Sequence, residues 1–428
     1  MKDLFATGKM LNGTIFKEFL IICCVTLFLP TAIKAQNATR NIDYFLQRAV
    51  RYSPILKDYK NQKQAFKIDS LLALAAAKPQ VSASSAGMYA PIIKGYGYDE
   101  TLSNGQVLEA LLNINYDLLN KKKISNQLQG IKLQSDSVNY AGELSTFDLN
   151  KSITDQYIAV YASQQDVSFN KDVFSLLKKE ETLLKELTRS NIYKQSEYLT
   201  FLVTLKQQQL TLKQSELQYQ SDYATLNYLS GITDTTEVTL AEPTLKNPVL
   251  LTDNSFFTKR FDIDSLKYLN QTQAIDLNYK PKLGVYANSG YNSSFILQPY
   301  KNFGASVGFT FSIPIYDGHQ KKMQYDKLGL SSLTASTYKD FFIRQQKQQL
   351  YILSKQISNT DQLSAQINEQ IRFAKGLIEV NSKLLHTGDV KVADYIIAIN
   401  NYMAAQNLLR QTNINRLKLI NQFNYWNK

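Results

Sequence analysis

Two stretches of the chain repeat each other, and this duplication limits the fold more than any other feature. Pro79-Gln80-Val81-Ser82-Ala83 and Pro281-Lys282-Leu283-Gly284-Val285 each open a strand-like segment. Each copy then runs through a second strand-like segment into a turn and a lysine cluster. The cluster is Leu118-Leu119-Asn120-Lys121-Lys122-Lys123 in the first copy and Ile315-Tyr316-Asp317-Gly318-His319-Gln320-Lys321-Lys322 in the second. Farther on, Asn191-Ile192-Tyr193-Lys194 corresponds to Gly388-Asp389-Val390-Lys391. The two landmarks agree in register, since 317 − 120 = 197 and 388 − 191 = 197. A constant offset implies two copies of one supersecondary unit. The copies are expected at 36–230 and 261–428, joined by a connecting segment, 231–260.

The strand-like segments carry a membrane pattern. Phe303, Ala305, Val307, Phe309, Phe311 and Ile313 alternate with Gly304, Ser306, Gly308, Thr310 and Ser312. This period of two makes one face apolar and leaves the other small and polar. Leu108, Leu112, Ile114, Tyr116 and Leu118 repeat it against Glu109, Asn113, Asn115 and Asp117. Strands are expected at about 80–90, 107–118, 282–292 and 302–316. About ten residues suffice for a strand to cross a bilayer, and apolar-out, polar-in alternation marks a transmembrane barrel. Phe303, Val307, Phe309 and Phe311 are the candidate lipid-facing residues. A half-buried hairpin in a soluble sheet would alternate too, but neither pair has a further strand near it in sequence.

Helices fill the intervals. Residues 121–189 contain no proline, and Ile153, Tyr157, Val160, Val167, Phe174, Leu177, Leu184 and Leu187 recur at heptad spacing, as in a coiled-coil seam. On the return, Leu199, Val203, Leu210, Leu217 and Ala224 keep the seven-residue step and are expected to face that seam. Helical hairpins are expected at about 121–229 and 318–426, turning near 190 and 387. Each long arm of roughly 70 residues is about 100 Å of helix at 1.5 Å per residue. Two shorter helices, about 55–78 and 192–229, would stack end to end beside the first arm. Outside their seams the helices read as polar, which suits a wall with water on both sides. Gln345, Gln346, Gln348, Gln349, Gln356 and Gln362 fit such a wall.

Four strands cannot close a barrel, and an open edge in lipid leaves costly unsatisfied backbone groups. Two chains would supply eight strands, whose interior side chains fill; three supply twelve and leave room for a pore. The expected fold is mainly α with a transmembrane β-barrel contribution. It comprises two repeats of strand pair plus long coiled-coil helical hairpin, in a homotrimer that closes a 12-stranded barrel and an α-helical tunnel.

Residues 1–35 read as a secretory signal: Lys9 and Lys17, an apolar run from Phe19 to Leu29, Pro30, then the small Ala35. Cys23 and Cys24 both lie within it, so no thiol, disulfide or cysteine metal site is expected afterwards. Ile22 before Cys23 fits lipidation poorly. The net charge of +12 could suggest nucleic acid, but the basic residues alternate with acids and glutamines along helices, as on a solvated surface. His319 and His386 stand far apart, and no phosphate loop, nucleophile elbow or zinc pair is present. Glu180-Glu181 is expected to be a solvated pair among lysines. No enzyme activity, cofactor, metal or nucleic-acid partner is expected.

The order of helix, strand pair and long helical hairpin, twice over, resembles the TolC family of outer-membrane efflux proteins. Ile313-Pro314-Ile315-Tyr316-Asp317-Gly318 is similar to the family's turn after its last strand. Leu384-Leu385-His386-Thr387-Gly388 with Asp394-Tyr395-Ile396 is similar to its tip, and Arg48-Ala49 to Ser53-Pro54 to the opening of its first helix. The resemblance covers 40–428. It implies a trimeric exit duct that spans the outer membrane and the periplasm and exports drugs, metals or proteins. It further implies docking of a periplasmic adaptor (membrane fusion) protein, itself part of an inner-membrane pump, at tips that include Ser190, Asn191, Thr387, Gly388 and Asp389. Family constrictions are ringed by acids, and Asp394 and its repeat counterpart Glu197 occupy the matching positions. A second ring position holds Ile397, and the basic gate position of some members falls at Val390. The rival from another class is a secreted or periplasmic coiled-coil structural protein without a pore.

Overall fold

The computed structural model describes residues 39–98, 106–234, 236–245, 255–294 and 301–428. The signal segment and both cysteines lie outside the described residues. Helix α1 (Ile42–Tyr52) starts where the Asn41 side chain accepts the Tyr44 N–H at 3.2 Å, an ordinary N-cap. Pro54 has no N–H to continue the ladder. The chain therefore breaks at Ser53, whose hydroxyl caps α2 (Pro54–Ala76). Next come β1 (Gln80–Tyr89), β2 (Gln106–Asp117) and the 69-residue α3 (Lys121–Arg189). Helix α4 (Gln195–Leu229) returns along α3. The second copy comprises a short 3₁₀ turn (Phe256–Thr258), α5 (Lys259–Asn278), β3 (Lys282–Ser293) and β4 (Phe303–Ser312). It ends with α6 (Gln320–Thr387) and α7 (Val392–Trp426). No described helix is long and apolar enough to cross a membrane.

The last strand is shorter than the expected 302–316. Pro314 cannot donate to a ladder, so pairing ends at Ser312 and Ile315 emerges 96% exposed.

The two hairpins do find partners, namely each other. They form one antiparallel sheet in the order β1-β2-β3-β4. Its register sets Val81 beside Ile114, Ile114 beside Ala287, and Ala287 beside Val307. Tyr116, Val285 and Phe309 make the next row on that face. The opposite face carries the row Ser82, Asn113, Asn288 and Ser306. There Asn113 Nδ2 donates to Ser84 Oγ (2.8 Å) and Ser306 Oγ to Asn288 Oδ1 (2.6 Å). A slip of one residue would exchange the faces. Gly290 sits in the central pairing, where an added Cβ would lie 2.1 Å from the Ala110 carbonyl oxygen, so no other residue allows β2 and β3 to approach this closely.

The helical copies match in packing as well as in sequence. Ile153, Val160, Asn170, Leu177 and Leu184 of α3 are buried, as are Leu350, Ile357, Ile367, Ala374 and Asn381 of α6. Each lies 197 residues after its counterpart, from 350 − 153 to 381 − 184. Phe201, Gln208, Tyr223 and Leu226 of α4 likewise correspond to the buried Ala398, Ala405, Ile420 and Phe423 of α7. Along the heptad seam a few small or amide residues, such as Asn170, Gln208, Ala374 and Asn381, stand among larger apolar ones. The two hairpins also lock side by side: Arg410 meets Asp166 at 2.8 Å and lies 4.0 Å above the Phe169 ring. Asn421 Nδ2 donates to Asp155 Oδ1 (2.8 Å) and to the Lys151 carbonyl (3.1 Å).

Three expectations need correction. Leu199, Val203, Leu210 and Leu217 do not face α3; they are 52–69% exposed, and Phe201, Leu205 and Gln208 hold the seam instead. Rows 199/203/210/217 and 201/205/208 lie on different sides of one helix, and both are amphipathic, so periodicity alone could not rank them. Gln346 is not part of a solvated wall: its buried amide donates to Ser255 Oγ (2.8 Å) and to the Trp426 carbonyl (2.7 Å). Glu180 is buried too, and only Glu181 pairs with a lysine, Lys178, at 3.1 Å.

Candidate conduit wall and tip

At one end of the molecule the sheet presents Phe303, Val307, Phe309 and Phe311 almost bare, with Val307 83% exposed. Val81, Leu112 and Ile114 extend this apolar surface over β1 and β2. Strands β1 and β4 each have one unpaired edge among the described residues.

At the other end both hairpins turn by the same device. Ile192 N–H donates to the Leu187 carbonyl and Asn191 N–H to Thr188. This is the paired bonding of a Schellman motif, which needs a left-handed residue after the helix. Asn191 supplies it at φ 60°. In the second copy Gly388 takes that place at φ 82°, and Asp389 N–H donates to the Leu384 carbonyl; the Gly388 N–H also turns to Leu384, so only the longer bond of the pair is common to both tips. Gly388 is required for a second reason, because a Cβ there would sit 2.7 Å from Ile192 Cγ2 of the first tip. Ser190 Oγ donates to the Glu186 carbonyl, and Thr387 Oγ1 to Asp389 Oδ2 at 2.6 Å. All five candidate docking residues therefore lie in these two turns.

The turns are joined through Tyr193. Its buried hydroxyl lies 3.1 Å from the Leu385 carbonyl and 2.9 Å from that of Val390, as donor to the second tip. One hydrophobic cluster, including Leu177, Leu184, Phe201, Leu385 and Tyr395, runs through both hairpins here. The buried Glu180 carboxylate reaches across it, accepting from Ser382 Oγ at 3.4 Å with His386 Nε2 at 3.9 Å. Burial, and then that carboxylate, pushes the Tyr395 hydroxyl well up. Sequence reading missed Tyr193. The one available signal was its mismatch with Val390, the residue 197 positions on.

The two acids at the candidate constriction differ. Glu197, third residue of α4, spends its carboxylate on the Lys194 N–H at 3.1 Å, as in one half of a capping box. Asp394 is third in α7, exposed, and without a side-chain hydrogen bond or ion pair among the described residues. Ile397 is exposed, and Val390 packs against the tip cluster. No group of three or more His, Cys, Asp or Glu able to hold a metal occurs among the described residues.

Farther from the tip, Tyr157 ties the chain's distant segments together. Its hydroxyl lies 2.7 Å from the Ala241 carbonyl and 3.0 Å from that of Arg40. Burial pushes this hydroxyl up as well.

No family profile matches the sequence, and no curated protein matches it. Solved structures do. The chain aligns with CusC, described in terms of transmembrane channel formation, at 10% identity and TM-score 0.73, over 91% of this chain and 92% of that one. It aligns with the outer membrane protein VceC of Vibrio cholerae at 12% identity and TM-score 0.71, over 90% and 96%. For the CmeC outer membrane channel of Campylobacter jejuni the values are 13% and 0.70, over 92% and 85%. At this identity the likeness speaks for the fold, and the fold is that of the TolC-type outer-membrane channels that the sequence motifs resemble.

Proposed function

We propose that the chain is one protomer of a homotrimeric outer-membrane exit duct for efflux or secretion. One observation carries the reading. The four-stranded sheet has a continuous, exposed apolar face and two open edges, and it stands on helices about 100 Å long. In lipid those edges must be paired, and copies of the chain are the available partners. The row Leu199, Val203, Leu210 and Leu217 on α4 supports this, because it offers apolar surface that a neighbouring copy would cover.

The channel character of CusC and CmeC, and the outer-membrane place of VceC, agree with this assignment. The tips, far from the sheet, are then the docking place for a periplasmic adaptor and its inner-membrane pump. Asp394, with its unengaged carboxylate, is the better candidate for a constriction ring; Glu197 is already committed to its helix. The rival structural rod has no use for a bare apolar strand face.

The test is the size and pore activity of the purified mature protein in detergent. A trimer that conducts ions in planar bilayers is the expected result. A water-soluble species without conductance overturns the proposal.

A further inference from the structure

Each junction between sheet and helices carries lysine. Lys78 precedes β1, Lys121, Lys122 and Lys123 follow β2, Lys280 and Lys282 flank the start of β3, and Lys321 and Lys322 follow β4. Helix stability does not account for them. Both long helices begin with lysines and have no acidic residue in the first turn, where positive charge opposes the helix dipole. Nor do ion pairs account for them. Among these lysines only Lys321 has a salt bridge within the described residues, to Asp276 at 3.0 Å. Two of the nearby acids are engaged, Asp276 with the Tyr325 hydroxyl and Asp317 with the Lys321 N–H at 2.7 Å, which leaves Asp117, at the end of β2, without an ion pair among the described residues.

The free lysines border a cleft of about 370 Å³ between the β2–α3 and α5–β3 junctions. One side is apolar, with Leu118, Leu119, Leu277 and Leu283. The other side holds Lys121, Lys122, Lys123, Lys280 and Lys282 against a single carboxylate, Asp117, so positive charge prevails there. Leu118 and Leu119 are exposed, and Leu118 continues the apolar rows of the sheet. An amphipathic anion matches both halves.

We propose that this cleft binds an anionic phospholipid of the leaflet nearest the helices. The acyl chain lies on Leu118, Leu119 and Leu283, and the phosphate lies among Lys121, Lys122, Lys123 and Lys280. Juxtamembrane lysines draw anionic headgroups by their charge, and salt screens the attraction. The proposal rests on the bilayer reading of the sheet.

The test is native mass spectrometry of the mature assembly titrated with phosphatidylglycerol and, separately, phosphatidylcholine, with conductance measured on the same preparation. The wild type is expected to retain phosphatidylglycerol preferentially, less so at high salt. Changing Lys121, Lys122, Lys123 and Lys280 together to Gln should weaken that preference by up to several hundred-fold, at about five-fold per lysine. The same four positions changed to Arg should keep it, which separates charge from misfolding. Equal retention of both lipids by a conducting wild type overturns the proposal and leaves the channel reading intact. So does an unchanged preference in the Gln variant, or a preference for isolated peptidoglycan over lipid. A preparation that retains the anionic lipid selectively but does not conduct would sink the channel reading alone.

Discussion

Val307 and Ser306 are neighbours at mid-strand on opposite faces of the sheet, so they allow the membrane reading to be tested at one depth. Val307 lies in the row Val81, Ile114, Ala287; Ser306 lies in the row Ser82, Asn113, Asn288. Lysine on the lipid face near the bilayer midplane costs about 2–4 kcal/mol. A trimer carries the change three times, so Val307→Lys should cost roughly 6–12 kcal/mol per assembly. That is comparable to the whole stability of an ordinary domain, about 5–15 kcal/mol. Ser306→Lys loses the hydrogen bond to Asn288, about 1 kcal/mol per copy, and places its charge in water. The assay is the amount of heat-resistant trimer in outer-membrane fractions on unboiled gels. Val307→Lys should nearly abolish it, and Ser306→Lys should retain most of it. Equal trimer from both variants, or greater loss from Ser306→Lys, would refute the assignment of faces.

Other tests address the tip. Tyr193→Phe removes the donor shared by the Leu385 and Val390 carbonyls and should weaken the link between the turns by about 1–2 kcal/mol, read as faster amide exchange at Ile192 and Asp389. Gly388→Ala should loosen the same turn, through a left-handed Cβ and the contact with Ile192; Gly388→Ala with Ile192→Ala should recover part of the loss, and no recovery would discount the steric argument. Asp394→Asn should lower cation preference, and an unchanged reversal potential would return Asp394 to the solvated surface. The Tyr198 hydroxyl, and then Lys178, hold the Glu181 carboxyl below its ordinary value of 4.5. A depressed carboxylate stabilises the fold above its unfolded pKa, and that contribution is lost as pH falls through the folded value. Protection of the α3–α4 pairing should therefore decline below about pH 4.5, and Glu181→Gln should flatten this dependence; identical profiles would rule the pair out as its cause.

Much of the fold was legible because the features that specify it are periodic. Alternation at 303–313 marks β4, the 197-residue offset marks the duplication, and heptads mark α3. Contacts between segments distant in sequence were not legible. Nothing local in Gln346 distinguishes a buried amide anchoring Ser255 and Trp426 from the exposed glutamines around it. Glu180 and Glu181 are adjacent and chemically alike, yet one reaches Ser382 and His386 of the other hairpin and the other meets Tyr198 and Lys178 of its own, because the helix turns by about 100° per residue. The turn residues at the tip were visible in the sequence, whereas Tyr193, which joins the tips, depends on how two hairpins meet. On α4, two apolar rows compete for one seam. The row rich in leucine and valine looked stronger, but Phe201 and Leu205 face α3.

The duplication also sets how a partner could count. Three chains would place six turns around one mouth, alike in backbone but of two kinds in chemistry. One kind shows Asn191 followed by Ile192; the other shows Gly388 followed by Asp389, tied to Thr387. A partner that reads only the left-handed turn common to both would have six equal seats. One that needs an acid, or is repelled by it, has three, in strict alternation. The stoichiometry of a partner docked there would follow from the positions at which the two tips have diverged.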